Sequence, residues 1–170
     1  MTPNKDKLIS LSKDAIEHKK IVLDCSQMLF EYLVKNDKHE LGIALLKRAA
    51  EHDNSKFESD EFELLANILT DDKGFTDANY SLSDEETKAI NIHWHKNRHH
   101  PEYFSDASNM SELDMIEMVC DWFARSLQYK TDFLPFVLER QKTRFHFEKE
   151  QFNFIYSYCE LIEKLYKEKL

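Results

Sequence analysis

The stretch that organises this chain is EHDNSKF, residues 51–57. It closes an apolar helical run, residues 41–50, and places a histidine directly before an aspartate. Because the chain turns at a helix end, the imidazole of His52 and the carboxylate of Asp53 can reach one ion, and this pair suits Mn²⁺, Fe²⁺, Co²⁺, Ni²⁺ or Zn²⁺. The alternative is a plain helix C-terminus, in which Asp-Asn-Ser form a turn and a helix cap.

The composition is typical of a single helical domain. The chain has 170 residues, of which 42% are hydrophobic, enough for a globular protein with its own core. Only 2 Gly and 3 Pro occur, which favours long helices joined by short loops. We therefore predict an all-α fold over residues 1–170, a bundle of about six main helices with residues 110–128 as its central helix.

The net charge and the cysteine content indicate which partners are disfavoured and in which cellular compartment the protein is expected. The formal net charge of -9 disfavours nonspecific binding to nucleic acid or to an anionic membrane, so we predict neither duplex nucleic acid nor a membrane as a partner. The 3 cysteines lie far apart without a C-x-x-C motif, which indicates buried thiols in a reducing compartment. No signal segment and no apolar run of roughly 18 residues occurs, so we predict a cytoplasmic protein. The sequence does not determine the oligomeric state, and a homodimer is one possibility.

Hydrophobic periodicity predicts where the helices lie. Helices are expected over residues 8–34, 41–51, 58–69, 83–97, 110–128 and 136–170, with a loop at 70–82 and a break near Thr143. Ser55 is the expected cap of the third helix. Capping boxes that begin at Ser83 and at Ser111 predict the starts of the fourth and fifth helices.

The most polar stretch is IHWHKNRHHPEYF, residues 92–104, which carries four of the 8 histidines. Pro101 disfavours a helix that continues through His100, so the helix end and the following turn present imidazoles in several directions. In the apolar central helix, Glu117 and Asp121 lie one turn apart on one face. Burying two carboxylates there is costly unless a metal ion or an arginine meets them.

These positions form a set of candidate metal ligands on separate helices. In chain order the set is His18, His52, Asp53, His93 or His95, His99, His100 and Asp121. Each residue also has an ordinary explanation. His18 fits a surface helix position, residues 93–100 fit a solvated helix end, and Asp121 fits an ion pair with Arg125.

The order His, His-Asp, His, His, Asp resembles that of the HD-domain superfamily of metal-dependent phosphohydrolases. The run HDNSK, residues 52–56, is similar to the His-Asp-x-x-Lys of members that hydrolyse cyclic dinucleotides, and HHPE, residues 99–102, is similar to their His-His-Glu turn with one residue inserted. Asp14 stands where some members place an extra acidic ligand. The Gly-Tyr-Pro motif of those members is absent, so their substrate is not implied.

Two further segments resemble a group of small HD-like proteins common in phage and bacterial genomes. They are NRHHPEY, residues 97–103, and EMVCDW, residues 117–122. The resemblance as a whole extends over about residues 14–125. It implies an HD-like helical bundle with one or two divalent ions.

The resemblance also implies roles for individual residues. It implies a first ion held by His18, His52, Asp53 and Asp121, and a second ion that Asp53 shares with His93 (or His95), His99 and His100. The implied reaction is attack of a metal-bound hydroxide on a nucleotide or another small phosphate ester. Lys56 and Arg98 are expected to contact phosphate oxygens, and Glu117 to orient a ligand or transfer a proton.

Three aromatic residues and two other function classes complete the hypotheses. Trp94, Tyr103 and Trp122 are candidates to stack a nucleotide base, with core packing as the alternative. An HD-type di-iron oxygenase would use a similar ligand set. A non-catalytic protein of phage type would instead sequester a host factor or a nucleotide.

Overall fold

A computed structural model describes residues 5–68 and 83–169. Within these ranges the chain forms seven α-helices and no strand: α1 (Lys5–Lys35), α2 (His39–Glu51), α3 (Ser59–Ile68), α4 (Asp84–Lys96), α5 (Glu112–Tyr129), α6 (Phe133–Arg140) and α7 (Lys149–Lys169). The all-α prediction is confirmed. The predicted loop at 70–82 and the predicted end of the third helix at Leu69 lie outside the described residues. None of the helices described is both long and apolar enough to cross a membrane.

Helix α5 is central, because it packs against α1, α2, α6 and α7. Its residues from Ile116 to Ala124 are all buried. The predicted capping box at its start is present, since the Asp114 amide donates to Ser111 Oγ at 3.2 Å and the Ser111 amide donates to the Asp114 carboxylate at 2.9 Å. The cap fixes the start of α5 and therefore the depth at which its acidic residues lie in the bundle.

The predicted C-terminal helix is divided in two. α6 ends at Arg140, a wide helical turn follows over Gln141–Phe145, and His146 adopts a left-handed backbone with φ 50° before α7 begins. The break predicted near Thr143 falls in this turn. Phe145 stacks on Trp122 with ring centroids 5.0 Å apart, so Trp122 is part of the hydrophobic core rather than a base-stacking residue.

The end of α2 brings the His-Asp pair into the bundle. His52 leaves the helix, and Asp53 reverses the chain with a left-handed backbone, φ 56° and ψ 20°. A short 3-10 turn over Asn54–Phe57 then leads to α3. Ser55 lies inside this turn, where its hydroxyl accepts a hydrogen bond from Asn97 at 2.8 Å, so it does not cap α3 as predicted.

Candidate metal centre

The carboxylate of Asp53 lies between two sets of side chains. Its Oδ2 is 3.6 Å from His52 Nε2 and 3.9 Å from His18 Nε2. Its Oδ1 is 3.5 Å from both His93 Nε2 and His99 Nε2. Asp53 is buried, so both oxygens face protein groups rather than solvent. The carboxylate therefore lies within reach of a metal ion held by either set.

The first ligand group consists of His18 from α1, His52 from the end of α2, and Asp121 from α5. His18 Nε2 is 2.8 Å from Asp121 Oδ1, and His52 Nε2 is 3.7 Å from the same oxygen. All three residues are buried. Together with Asp53 they form a set of two imidazoles and two carboxylates.

The second ligand group consists of His93 from the last turn of α4 and His99 and His100 from the turn after it. His93 Nε2 and His100 Nε2 are 3.0 Å apart. The choice between His93 and His95 is settled by their directions. His95 is exposed and its Nδ1 donates to the carbonyl oxygen of Asn91 at 2.7 Å, whereas His93 is buried beside Asp53.

The spacing of these atoms fits divalent metal ions. Two atoms that bind one ion at about 2.1 Å lie about 3.0–3.5 Å apart in tetrahedral or octahedral geometry. The ligand-atom distances given above run from 2.8 to 3.9 Å, and all ligand atoms of each group lie within 4.8 Å of one another. Within the described residues, His52 Nε2, His99 Nε2 and Asp53 Oδ1 are also buried without a hydrogen-bond partner. Such atoms are rare in proteins, and a cation bound in each group would satisfy them.

Glu117 orients one histidine of each group. Its Oε1 accepts a hydrogen bond from His52 Nδ1 at 3.1 Å and lies 3.4 Å from His99 Nδ1. Its second oxygen pairs with the guanidinium of Arg48. With the proton held on Nδ1, the lone pair of Nε2 is directed to the metal position. This geometry suits the orienting role that the sequence predicted for Glu117.

Two residues that orient ligand histidines were not predicted from the sequence. The Glu61 carboxylate is 2.7 Å from His93 Nδ1, and the Gln128 side-chain oxygen is 2.9 Å from His18 Nδ1. Glu61 had a usable signal, since it is an acid in the predicted third helix beside apolar residues, as Glu117 is in the fifth. Gln128 had none, because a glutamine near a helix end is ordinary.

Burial and neighbouring charge give the histidines different pKa values. Burial, with the nearby Arg125 charge, lowers the pKa of His18 to about 4, and burial also lowers the pKa of His93. These imidazoles are therefore neutral near pH 7, the form that binds metals. Burial opposes a charge on His52 as well, but Asp53 and the adjacent carboxylates raise its pKa to about 10. The acids around His52 thus favour a positive charge at this point, which a divalent ion also supplies.

Lys56 lies beside the shared carboxylate. Its Nζ is 2.6 Å from Asp53 Oδ2, and the lysine is buried. Burial raises the pKa of Asp53, but the charges of Lys56 and His52 outweigh this and hold it well below its usual value. Lys56 is therefore not a solvated residue at a helix start. Its ammonium is a fixed positive charge at the edge of the first ligand group.

The structure assigns Arg98 and Asp14 to ion pairs rather than to the site. Arg98 Nε and Nη2 each donate to one oxygen of the Asp114 carboxylate at 3.1 Å, which uses the donors that the predicted phosphate contact requires. Asp14 pairs with Arg125 Nη1 at 3.1 Å and belongs to neither ligand group. Arg125 therefore pairs with Asp14. The alternative considered from the sequence, an ion pair between Arg125 and Asp121, is not what the structure has.

The remaining candidate aromatics differ in their surroundings. Trp94 has its ring centroid 6.5 Å from that of His100, and the Arg144 guanidinium carbon lies 4.5 Å from its ring centroid. Tyr103 is more than one-third exposed and packs edge to face on Phe104. Trp94 is therefore the candidate that lies beside a ligand group.

Residues 9–168 match a protein family described as being of unknown function, DUF5662, and the chain belongs to this family. The match includes every residue of both ligand groups. No curated protein and no solved structure shows a significant match to the chain.

Proposed function

We propose that this protein is a metal-dependent phosphohydrolase that acts on a nucleotide or another small phosphate ester. The observation that carries the proposal is the carboxylate of Asp53, which lies between two ligand groups. When bound, a pair of divalent ions lowers the pKa of water toward neutrality and neutralises phosphate oxygens. The resemblance of the ligand order to that of the HD-domain superfamily supports the same reading.

The protein groups divide into ligands, orienting residues and a charge for the substrate. The ions would be held by His18, His52, Asp53 and Asp121 on one side, and by Asp53, His93, His99 and His100 on the other. Glu117, Glu61 and Gln128 fix the ligand histidines through their Nδ1 atoms. Lys56 is placed to neutralise a phosphate oxygen as a point charge.

One observation favours a second candidate, an HD-type di-iron oxygenase. The second ligand group contains three imidazoles, a nitrogen-rich set that suits Fe²⁺. The ammonium of Lys56 at 2.6 Å from Asp53 favours the phosphohydrolase, because an anionic substrate gains from a fixed positive charge beside the ions. A non-catalytic binding protein would retain its ligand when the metal is removed.

The test begins with elemental analysis of protein purified without added metal. A phosphatase screen on nucleotides and small phosphate esters with Mn²⁺, Co²⁺, Ni²⁺ and Fe²⁺ follows, with Asp53→Asn as the inactive control. We expect bound transition metal and ester hydrolysis that disappears in the control. Oxygen uptake with Fe²⁺ and no ester hydrolysis would instead establish the oxygenase, and protein without bound metal would contradict both enzymes.

A further inference from the structure

The guanidinium of Arg125 lies next to the first ligand group without being part of it. Arg125 follows Asp121 by one turn of α5. Its Nη1 donates to the Gln128 side-chain oxygen at 3.1 Å, and the same oxygen accepts from His18 Nδ1 at 2.9 Å. One glutamine therefore fixes both a ligand histidine and the arginine. The position of Arg125 is tied to that of the metal centre.

The donors of this arginine are only partly used. Asp14 contacts Nη1 at 3.1 and 3.3 Å, and Gln128 contacts the same nitrogen. No hydrogen bond from Nε or Nη2 of Arg125 occurs within the described residues. Arg98 makes the opposite arrangement, because its Nε and Nη2 both bind the carboxylate of Asp114. In the part of the chain that the structure describes, Nε and Nη2 of Arg125 have no protein hydrogen-bond partner, and they are the pair of donors that binds two oxygens of a phosphate side by side.

Exposure and charge agree with a role in binding an anion. The side chain of Arg125 is 23% exposed, so a small solute can reach it. Burial works against its charge, but Asp14, Tyr129, Asp121 and Asp53 together raise its pKa above the usual value. The guanidinium thus lies within electrostatic reach of both ligand carboxylates. It is a permanent positive charge at the border between the metal centre and solvent.

We infer that Arg125, held in place by Asp14 and Gln128, binds an anionic phosphate group of the substrate through its Nε and Nη2. This inference rests on the proposed function and makes it more specific, because it assigns the bidentate phosphate contact to α5 in place of Arg98. Asp14 acts as a positioning residue. It orients the guanidinium and at the same time competes with the phosphate for the arginine charge.

Calorimetric titration of the Mn²⁺-loaded protein with inorganic phosphate tests the inference. Arg125→Gln should weaken phosphate affinity roughly 10- to 100-fold, the usual loss for a charged hydrogen bond. Asp14→Asn should leave phosphate affinity equal or higher, because the amide oxygen can still accept from Nη1 and orient the guanidinium while the competing negative charge is removed. Both variants should lower the melting temperature, since each removes one half of the same ion pair. The matched control is Arg140→Gln, whose arginine stacks on Phe136 of α6.

The opposite signs of the two variants separate phosphate binding from a purely structural ion pair. Equal loss of phosphate affinity in Arg125→Gln and Asp14→Asn would overturn the inference, as would unchanged affinity in Arg125→Gln with metal content retained. If Arg125→Gln does not fold or loses metal, Arg125→Lys decides, because it keeps the charge facing Asp14 but lacks the paired donors. Affinity equal to wild type in Arg125→Lys would then overturn it.

The outcome also separates this inference from the proposed function. Ester hydrolysis with phosphate affinity that is independent of Arg125 leaves the phosphohydrolase standing and rejects the role of the arginine. Phosphate affinity that depends on Arg125 without any hydrolysis leaves an anion site and rejects the enzyme. Wild-type protein that holds metal but binds no phosphate rejects the role of Arg125 outright.

Discussion

The two ligand groups that share Asp53 are supported by the chain in different ways. His18 and Asp121 lie within the long helices α1 and α5, which pack directly on each other. The second group comes from the last turn of α4 and the irregular turn that follows, and His100 is only half-buried. Ligands on packed helices are held more firmly than ligands on turns. We therefore expect the first group to be the better preorganised of the two and to bind an ion more tightly.

The largest effect is expected from Asp53→Asn, because this residue serves both groups. An amide keeps the size of the side chain but removes the charge, so both ions should be lost together with activity. Metal content per chain, measured after gel filtration, checks this. Glu51→Gln, an exposed acid two residues away, is the control that should keep its metal. Full metal content in Asp53→Asn would show that the two groups do not depend on a shared carboxylate.

A pair of histidine variants measures the difference between the groups directly. His18→Ala should leave an ion that is bound weakly, at the second position. His100→Ala should leave an ion that is bound tightly, at the first. Competitive metal titration against a chelating dye reports both affinities. If the ion left in His18→Ala proves the tighter of the two, packing on long helices is not what controls affinity here.

Lys56→Met tests the first position, because Lys56 contacts the Asp53 oxygen that faces His18 and His52. The role predicted from the sequence is a contact with a phosphate oxygen, and on that basis alone removal of Lys56 would leave metal content unchanged. The 2.6 Å contact with Asp53 Oδ2 changes this expectation, because the ammonium competes with an ion for that oxygen. We now expect higher metal affinity at the first position and turnover lower by ~10²–10³-fold. Lys47→Met, on the exposed face of α2, should change neither quantity.

Substitution of the orienting carboxylates should have a smaller effect. Glu117 contacts a histidine of each group, whereas Glu61 contacts only His93 of the second. Glu117→Gln should therefore weaken both positions by roughly 10- to 100-fold, and Glu61→Gln only the second. The same dye titration distinguishes them. A uniform loss in Glu61→Gln would mean that the two positions are coupled through more than Asp53 and Glu117.

The smallest effect on the ligand groups is expected from acid titration of Asp114. This carboxylate joins Arg48 of α2 to Arg98 of the turn after α4, so it connects the segments that carry the two groups. Burial raises its pKa, but Arg98, Ser111 and Arg48 outweigh burial and lower it. Because the folded-state pKa lies below the unfolded value of about 3.9, the stabilisation is complete above that pH and is lost as pH falls through the folded value.

Urea unfolding of metal-free protein between neutral and acidic pH measures this contribution. Asp114→Asn should be less stable than wild type at pH 7 and should lose less further stability in acid. Asp132→Asn, an exposed acid before α6, serves as the control. Parallel acid curves for wild type and Asp114→Asn would assign the loss of stability in acid to other carboxylates.

Sequence reasoning predicted what depends on local pattern. The helices follow from hydrophobic periodicity, and the ligand types follow from the chemistry of His and Asp at helix ends. The partners of Arg98, Arg125 and Asp14 were predicted wrongly or not at all, because they depend on how close α1, α5 and the turn after α4 approach each other. The role of Gln128 was not predicted for the same reason. It depends on a contact with His18, which lies 110 positions away in sequence.

The left-handed backbone of Asp53 limits which residues this position can accept during evolution. A φ of 56° is tolerated by Gly, Asn and Asp, and costs most other residues free energy. Glutamate would supply the same charge but neither the short side chain nor the backbone preference. Almost no substitution of this aspartate is therefore expected to be neutral. We expect that relatives without the proposed metal centre carry Asn or Gly here, so this one residue would identify them.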